Sequence, residues 1–152
     1  MRARDMAVGY ESVTVDSPAL DGARLLAEHR LPGLLVLDGG TPVAILPASQ
    51  LVKVIVPGYV IEDPALAAVV DERHADRLCA ALAGRTVGDC LPNPAVAPPV
   101  AAPDDTALEV AALMARERSP LVAVVDTDKA GPNLLGVITA SQLLHRLLAV
   151  ND

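Results

Sequence analysis

The side chains able to carry chemistry in this chain of 152 residues are few and scattered. Carboxylates are abundant, but no two sit in a motif that would raise one pKa for general acid-base work. A Gly-x-Ser-x-Gly elbow, a phosphate-cradling Gly-rich loop and a metal-binding helix motif are all absent. Cys79 and Cys90 stand eleven apart, which is neither a disulfide framework nor a zinc spacing, so both are expected to be structural. His74 and His145 are separated by spacing from plausible partners and read as exposed or helix-face histidines. Asp104-Asp105-Thr106 suits capping of the following helix better than ligand contact. Arg30 and Arg118 fall at the ends of expected helices, where a guanidinium complements the helix dipole and lays its stem over apolar surface. What remains is noncovalent recognition, and neither catalysis nor a bound metal or cofactor is expected.

The elements that hold these residues come in two copies. Ala-Ser-Gln-Leu occurs at Ala48 to Leu51 and again at Ala140 to Leu143. Sliding residues 19 to 38 forward by 88 positions gives nine identities in twenty, among them Arg30/Arg118, Pro32/Pro120, Val36/Val124 and Asp38/Asp126. After Asp126 the second copy carries four extra residues in a stretch rich in Gly, Pro and Asn, as a surface turn tolerates, and Gln50 then faces Gln142. Two related units that each bury one face are expected to stack on one another.

Each copy reads as a short extended piece, an amphipathic helix, two apolar strands and a second helix. In the first, Val13 to Val15 is extended and Asp16 or Ser17 caps a helix with Pro18 in its first turn. Leu20, Ala23, Leu26 and Ala27 form the expected buried stripe. Leu34 to Leu37 and Val43 to Leu46 read as strands joined by Gly39-Gly40, and Ala48 opens the second helix. The second copy has a cap at Asp104 to Thr106, a helix over Ala107 to Arg118, strands at Leu121 to Val125 and Leu134 to Ile138, and a final helix over Ser141 to Val150. Between the copies, Glu62-Asp63-Pro64 marks a helix start and Gly84 a stop. Pro92 to Pro103, with five prolines in twelve residues, is an extended approach to the second unit. The expected domains are a first unit over 1–56, a helical connecting segment over 57–84 and a second unit over 85–152.

Composition restricts the partners. Hydrophobic residues make up 52% of the chain, yet there are two Tyr and no Phe or Trp, so the core must rest on aliphatics. The same shortage removes stacking platforms for single-stranded nucleic acid, and a net charge of -7 leaves no concentrated basic face for a phosphate backbone. No segment approaches the roughly 20 apolar residues of a membrane span, and no apolar run of signal-peptide length opens the chain. A cytoplasmic protein without nucleic-acid or membrane partners is expected.

A duplicated β-α-β-β-α unit with Leu135-Gly136-Val137-Ile138-Thr139 leading into a helix resembles the cystathionine-β-synthase (CBS) domain pair, or Bateman module, over nearly the whole chain. The family motif is hydrophobic-Gly-hydrophobic-hydrophobic-Thr/Ser-x-x-Asp, matched by Gly136-Val137-Ile138-Thr139-Ala140-Ser141-Gln142 at every position but the last. Arg85-Thr86-Val87-Gly88-Asp89-Cys90 and Arg4-Asp5-Met6 resemble the segment that often precedes a CBS unit. The resemblance implies an α/β (α+β) fold of two tandem units about a pseudo-twofold axis. It implies adenosine-nucleotide binding in the cleft between them: adenine among strand aliphatics, the motif Asp on the ribose hydroxyls, Thr or Ser near the ribose-phosphate. Gln50 and Gln142 fill the Asp slot here, and Pro47 replaces the first Thr. His29-Arg30-Leu31-Pro32 resembles the stretch with which the γ subunit of AMP-activated protein kinase contacts nucleotide phosphates, and Arg118 is its second-copy equivalent.

These features imply a stand-alone regulatory module that binds AMP, ADP, ATP or S-adenosylmethionine and controls a separate enzyme or transporter. The candidate ligand residues are His29, Arg30, Gln50, Arg118, Gly136, Val137, Thr139 and Gln142. Family members commonly pair through their helices, and the apolar faces of Ser49 to Val56 and Ser141 to Val150 suit a homodimer. The alternative is a ligand-free dimerisation or scaffold module whose nucleotide site has degraded, favoured by the loss of both motif Asp residues.

Overall fold

A computed structural model describes residues 1–56, 58–69, 78–92, 95–128 and 131–149. The first repeat comprises β1 (Ser12–Thr14), α2 (Ala19–His29), β2 (Gly33–Asp38), β3 (Thr41–Pro47) and α3 (Ala48–Ile55), preceded by the short helix α1 (Ala3–Met6). After α4 (Gly58–Glu62), two 3₁₀ turns over Pro64–Val69 and Leu78–Leu82, and α5 (Val87–Cys90), the second repeat supplies β4 (Val100–Ala101), α6 (Ala107–Glu117), β5 (Leu121–Asp128), β6 (Gly131–Thr139) and α7 (Ala140–Ala149). Two three-stranded sheets result, ordered β1-β2-β3 and β4-β5-β6. In the second, β4 runs parallel to β5 and β5 antiparallel to β6, with Leu121 opposite Thr139 and an irregularity between Val124 and Val125. The fold is therefore mixed α+β and built from two β-α-β-β-α copies, as the repeat implies.

The local signals act where their chemistry predicts. Gly39 and Gly40 both take positive φ, 58° and 83°, which a two-residue hairpin turn between right-twisted strands demands. Thr106 caps α6 by accepting from the Glu109 N–H at 3.2 Å, while the Glu109 carboxylate accepts from the Thr106 N–H at 3.3 Å. At α2 the expectation fails. Neither Asp16 nor Ser17 caps it, because the Ser17 hydroxyl accepts from the Thr14 N–H at 3.0 Å and Pro18 takes the cap position. The buried stripe of α2 is also displaced: Ala19, Gly22 and Leu26 are covered, whereas Leu20 and Ala23 are half-buried and Ala27 is exposed. Gly22 explains the shift, since a Cβ there would lie 3.0 Å from Leu34 and 3.4 Å from Val87, so the helix seats against its sheet along that side. Within the connecting segment α4 ends at Glu62, a 3₁₀ turn starts at Pro64 where Glu62-Asp63-Pro64 marks a helix start, and Gly84 turns the chain at φ 77°. His74 and Val150 lie outside the described residues.

The compact units are not contiguous in sequence. One gathers Met1–Ser12, Leu37–Ala44 and Val96–Asp152; the other gathers Val13–Val36 and Ile45–Ala95. The segment opening each repeat thus belongs with the helices of the other. In the first-named unit, Ala3 donates to the Asp105 carbonyl at 2.7 Å and Arg4 to that of Pro103 at 3.0 Å. In the second, Val87 donates to Ser17 at 2.8 Å and Ala19 to Arg85 at 2.9 Å. The two segments share a further bond, from the Arg2 N–H to Asp5 and from the Thr86 N–H to Asp89, each 3.0 Å. Those hydrogen bonds with Thr86 hold the Asp89 carboxyl below its ordinary range. The first unit's core joins Ala3 and Met6 to Val110, Met114, Val122, Val124, Ile138 and Leu143. In the other, Leu34, Leu46, Leu82 and Val87 are among the fully buried side chains, and none of the core residues named is aromatic, as composition requires.

Candidate functional site

The motif residues lie at the turn from β6 into α7, and the local chemistry assigns most of them before any ligand is considered. Gly136 faces the N-terminal segment: Val8 and Val137 exchange backbone hydrogen bonds of 3.0 and 2.9 Å. A Cβ on Gly136 would meet the Val8 carbonyl oxygen at 2.7 Å, so glycine is what allows the two backbones to approach. The Val137 side chain is fully buried. Thr139 caps α7, its hydroxyl accepting from the Gln142 N–H at 3.3 Å, and the Gln142 Oε1 accepts from the Thr139 N–H at 3.0 Å. Thr139-x-x-Gln142 is a capping box. The glutamine in the Asp slot is therefore a structural residue, with its carbonyl oxygen already committed.

In the first repeat Pro47 stands where Thr139 stands in the second and has no hydroxyl to offer a box. Gln50 is released, and its Nε2 donates to the Cys90 carbonyl at 3.2 Å, joining α3 to the end of α5. Cys90 is a buried free thiol, and burial pushes its pKa up, which makes it inert rather than nucleophilic. No group of three His, Cys, Asp or Glu able to hold a metal occurs among the described residues.

Arg30 and Arg118 end α2 and α6 in the same conformation, φ 51° with ψ 45° and 40°, and both are exposed. They are the only non-glycine residues with positive φ among those described, and that identity of backbone is independent support for the duplication. His29, the last residue of α2, is exposed as well. Arg30 and His29 lie in one compact unit and Arg118 in the other.

Beside the capping box is a cleft of about 300 Å³ lined by Met6, Val8, Ser141, Gln142, His145 and Arg146. Of these, sequence reasoning had singled out Gln142 and treated His145 as isolated. The helical spacing was the available signal: Ser141 and Gln142 recur one turn later as His145 and Arg146 on the same face. Met6 and Val8 had no such signal, because only the docking of the N-terminal segment brings them there.

Because Thr139 serves the helix, Thr139→Ala is expected to lower stability by about 1 kcal/mol and the melting temperature by roughly 2–4 °C in ligand-free buffer. Thermal denaturation of the two proteins measures it, and an unchanged melting temperature would show that the box contributes nothing. Loss of ligand affinity in that variant alone would therefore not establish a contact.

Two three-stranded sheets built from two β-α-β-β-α copies, with the opening segment of each copy docked on the other copy's elements, define a tandem pair of related units. The chain belongs to the CBS domain family. The family profile described as CBS domain matches residues 87–149. The crystal structure of a CBS domain-containing protein of unknown function from Kribbella flavida DSM 17836 superposes with a TM-score of 0.88 at 48% identity, covering 97% of this chain and 99% of that one. CBSX2 in complex with AMP aligns with a TM-score of 0.67 at 18% identity, covering 99% and 98%. The CBS domain of a bacterial CNNM/CorC family Mg²⁺ transporter in complex with ATP gives 0.67 at 16%, covering 97% and 87%. At those identities the last two show the fold alone. No curated protein matches the chain. No helix among the described residues is long and apolar enough to cross a membrane.

Proposed function

We propose that this chain is a stand-alone, non-catalytic CBS-pair module that binds an adenosine-containing ligand, AMP, ADP, ATP or S-adenosylmethionine, and regulates a separate enzyme or transporter in the cytoplasm. The observation that supports it most is the cleft at the start of α7, with Met6 and Val8 as apolar wall and Ser141, Gln142, His145 and Arg146 as polar rim. The AMP and ATP complexes of two structural neighbours favour this ligand class. Arg30 and Arg118 are the further candidates for phosphate, each projecting from a helix end in a conformation that glycine would adopt more easily. Pairing of two copies through helices is part of the same reading. It is supported by an apolar groove of about 230 Å³ lined by Ala23, Leu26, Ala27, Ala48, Leu51, Val52 and Ile55, and by exposed Leu144 and Leu148 on α7.

A second reading, a scaffold without ligand, is favoured by one specific observation: Thr139, Gln142 and Gln50 all make hydrogen bonds within the protein. A thermal-shift series with the four ligands at millimolar concentration separates the two. A ligand at about 100 times its Kd adds about 2.7 kcal/mol and raises the melting temperature by several degrees. A response to one nucleotide that is lost in Arg30→Ala or Arg118→Ala is the expected outcome. A flat response to all four would leave the scaffold.

A further inference from the structure

Residues 1–8 are joined to the second repeat by contacts that can be made and broken as a set. The Ala3 N–H donates to the Asp105 carbonyl, that of Arg4 to Pro103, and Val8 exchanges a mutual pair with Val137. This last contact is an isolated bridge that no ladder continues. Arg4 reaches the Asp104 carboxylate at 2.6 Å and the Arg2 guanidinium donates to the Asp104 carbonyl at 2.9 Å, at exposed positions where salt screens a charge pair. Ala3 and Met6 are the segment's buried members of the core cluster, and every other buried member lies between Ala101 and Leu143. The elements from β4 to α7 therefore keep a core of their own when the segment lifts. The segment also closes the cleft beside α7: Met6 and Val8 line it, and the Met1 sulfur lies 3.9 Å from the Arg146 guanidinium.

We infer that residues 1–8 are a strap that opens and closes as a unit on the second repeat, and that a ligand in the cleft locks it shut. A ligand resting on Met6 and Val8 finds those contacts in the closed state alone, so it binds that state more tightly and shifts the equilibrium toward it. Opening takes one wall of the cleft away and bares the part of the core that Ala3 and Met6 cover. The empty and the occupied module thus show a partner different surfaces, which is what regulation by occupancy requires. The locking rests on the proposed binding of an adenosine-containing ligand, whereas the opening does not.

Hydrogen exchange resolved by residue on the full chain, with and without AMP or ATP at millimolar concentration, tests both halves. Val137 is the diagnostic amide, because it belongs to β6 yet its N–H is held by the Val8 carbonyl. It should exchange with Ala3, Arg4 and Val8 rather than with its strand neighbour Ile138. In the ligand-free protein these four amides are expected to share one protection factor, at least about tenfold below those of Ile138 and Val122, which lie opposite one another in the β5–β6 pair. Asp104→Ala removes the ion pair and should lower the protection of the four by about two- to fivefold while leaving Ile138 unchanged. Nucleotide that saturates the protein should slow the four by at least about tenfold, since binding to the closed state suppresses opening in proportion to the ligand concentration over its Kd. Four amides as protected as Ile138 would overturn the strap, because the segment would then leave only with the whole fold. Nucleotide that binds by calorimetry without slowing the four would overturn the locking and leave nucleotide binding standing. A strap that opens in a protein which binds neither nucleotide would overturn both the locking and the nucleotide reading.

Discussion

Gly136→Ala is expected to be the most damaging single-atom addition to this protein. The new Cβ would lie 2.7 Å from the Val8 carbonyl oxygen and 3.1 Å from two further backbone atoms of that residue, and backbone cannot swing aside as a flexible side chain does. Relief requires the N-terminal segment to withdraw from β6, which breaks the two Val8–Val137 hydrogen bonds and loosens Ala3 and Met6, 0% and 3% exposed, from the core. Overpacking of this kind costs about 2–3 kcal/mol, a drop of roughly 5–10 °C in melting temperature. Thermal denaturation with hydrogen exchange read over residues 1–10 is the measurement, and both should change together. A destabilised protein whose first ten residues stay protected would show that the strain is absorbed elsewhere. Because Met6 and Val8 wall the cleft, the same substitution should also alter any ligand affinity.

Arg30→Gly combined with Arg118→Gly should act in the opposite direction. Both residues sit in the left-handed region, which costs a side-chain-bearing residue about 1–2 kcal/mol and glycine almost nothing. Part of the gain is returned through the greater freedom of glycine in the unfolded chain and the lost attraction to the helix dipole. A net stabilisation of about 1–2 kcal/mol for the pair remains, with a melting temperature higher by several degrees. If the arginines hold phosphate, the stabilised protein binds nucleotide less tightly, and this opposition of stability and affinity is what a purely structural arginine would not produce. A double variant that is less stable than the parent would show that the arginine stems contribute more through packing than the backbone conformation costs.

The fold was legible wherever its causes are local or repeated. Alternation of apolar residues, Gly39-Gly40 and the cap at Asp104 to Thr106 act over a few residues, and duplication repeated the same order of elements in both copies. The candidate site was less legible, for two physical reasons. Docking of the N-terminal segment on the second repeat depends on contacts about 100 residues apart, such as Arg4 with Asp104 at 2.6 Å, and nothing in the pattern around Met6 or Val8 announces it. The motif residues were also read through their resemblance to a ribose site, although Thr139-x-x-Gln142 has the spacing of a capping box and forms one. The displaced stripe of α2 has a third cause, since Gly22 offers no apolar surface in sequence yet is what lets the helix approach its sheet.

Direct calorimetric titration of AMP and of ATP into the full wild-type chain tests the central claim, that the module binds an adenosine nucleotide. Saturable heat with at least one of them, accompanied by a matching rise in melting temperature, is predicted. A folded, paired protein that gives no heat with either at millimolar concentration, and melts unchanged, would contradict it and leave a scaffold.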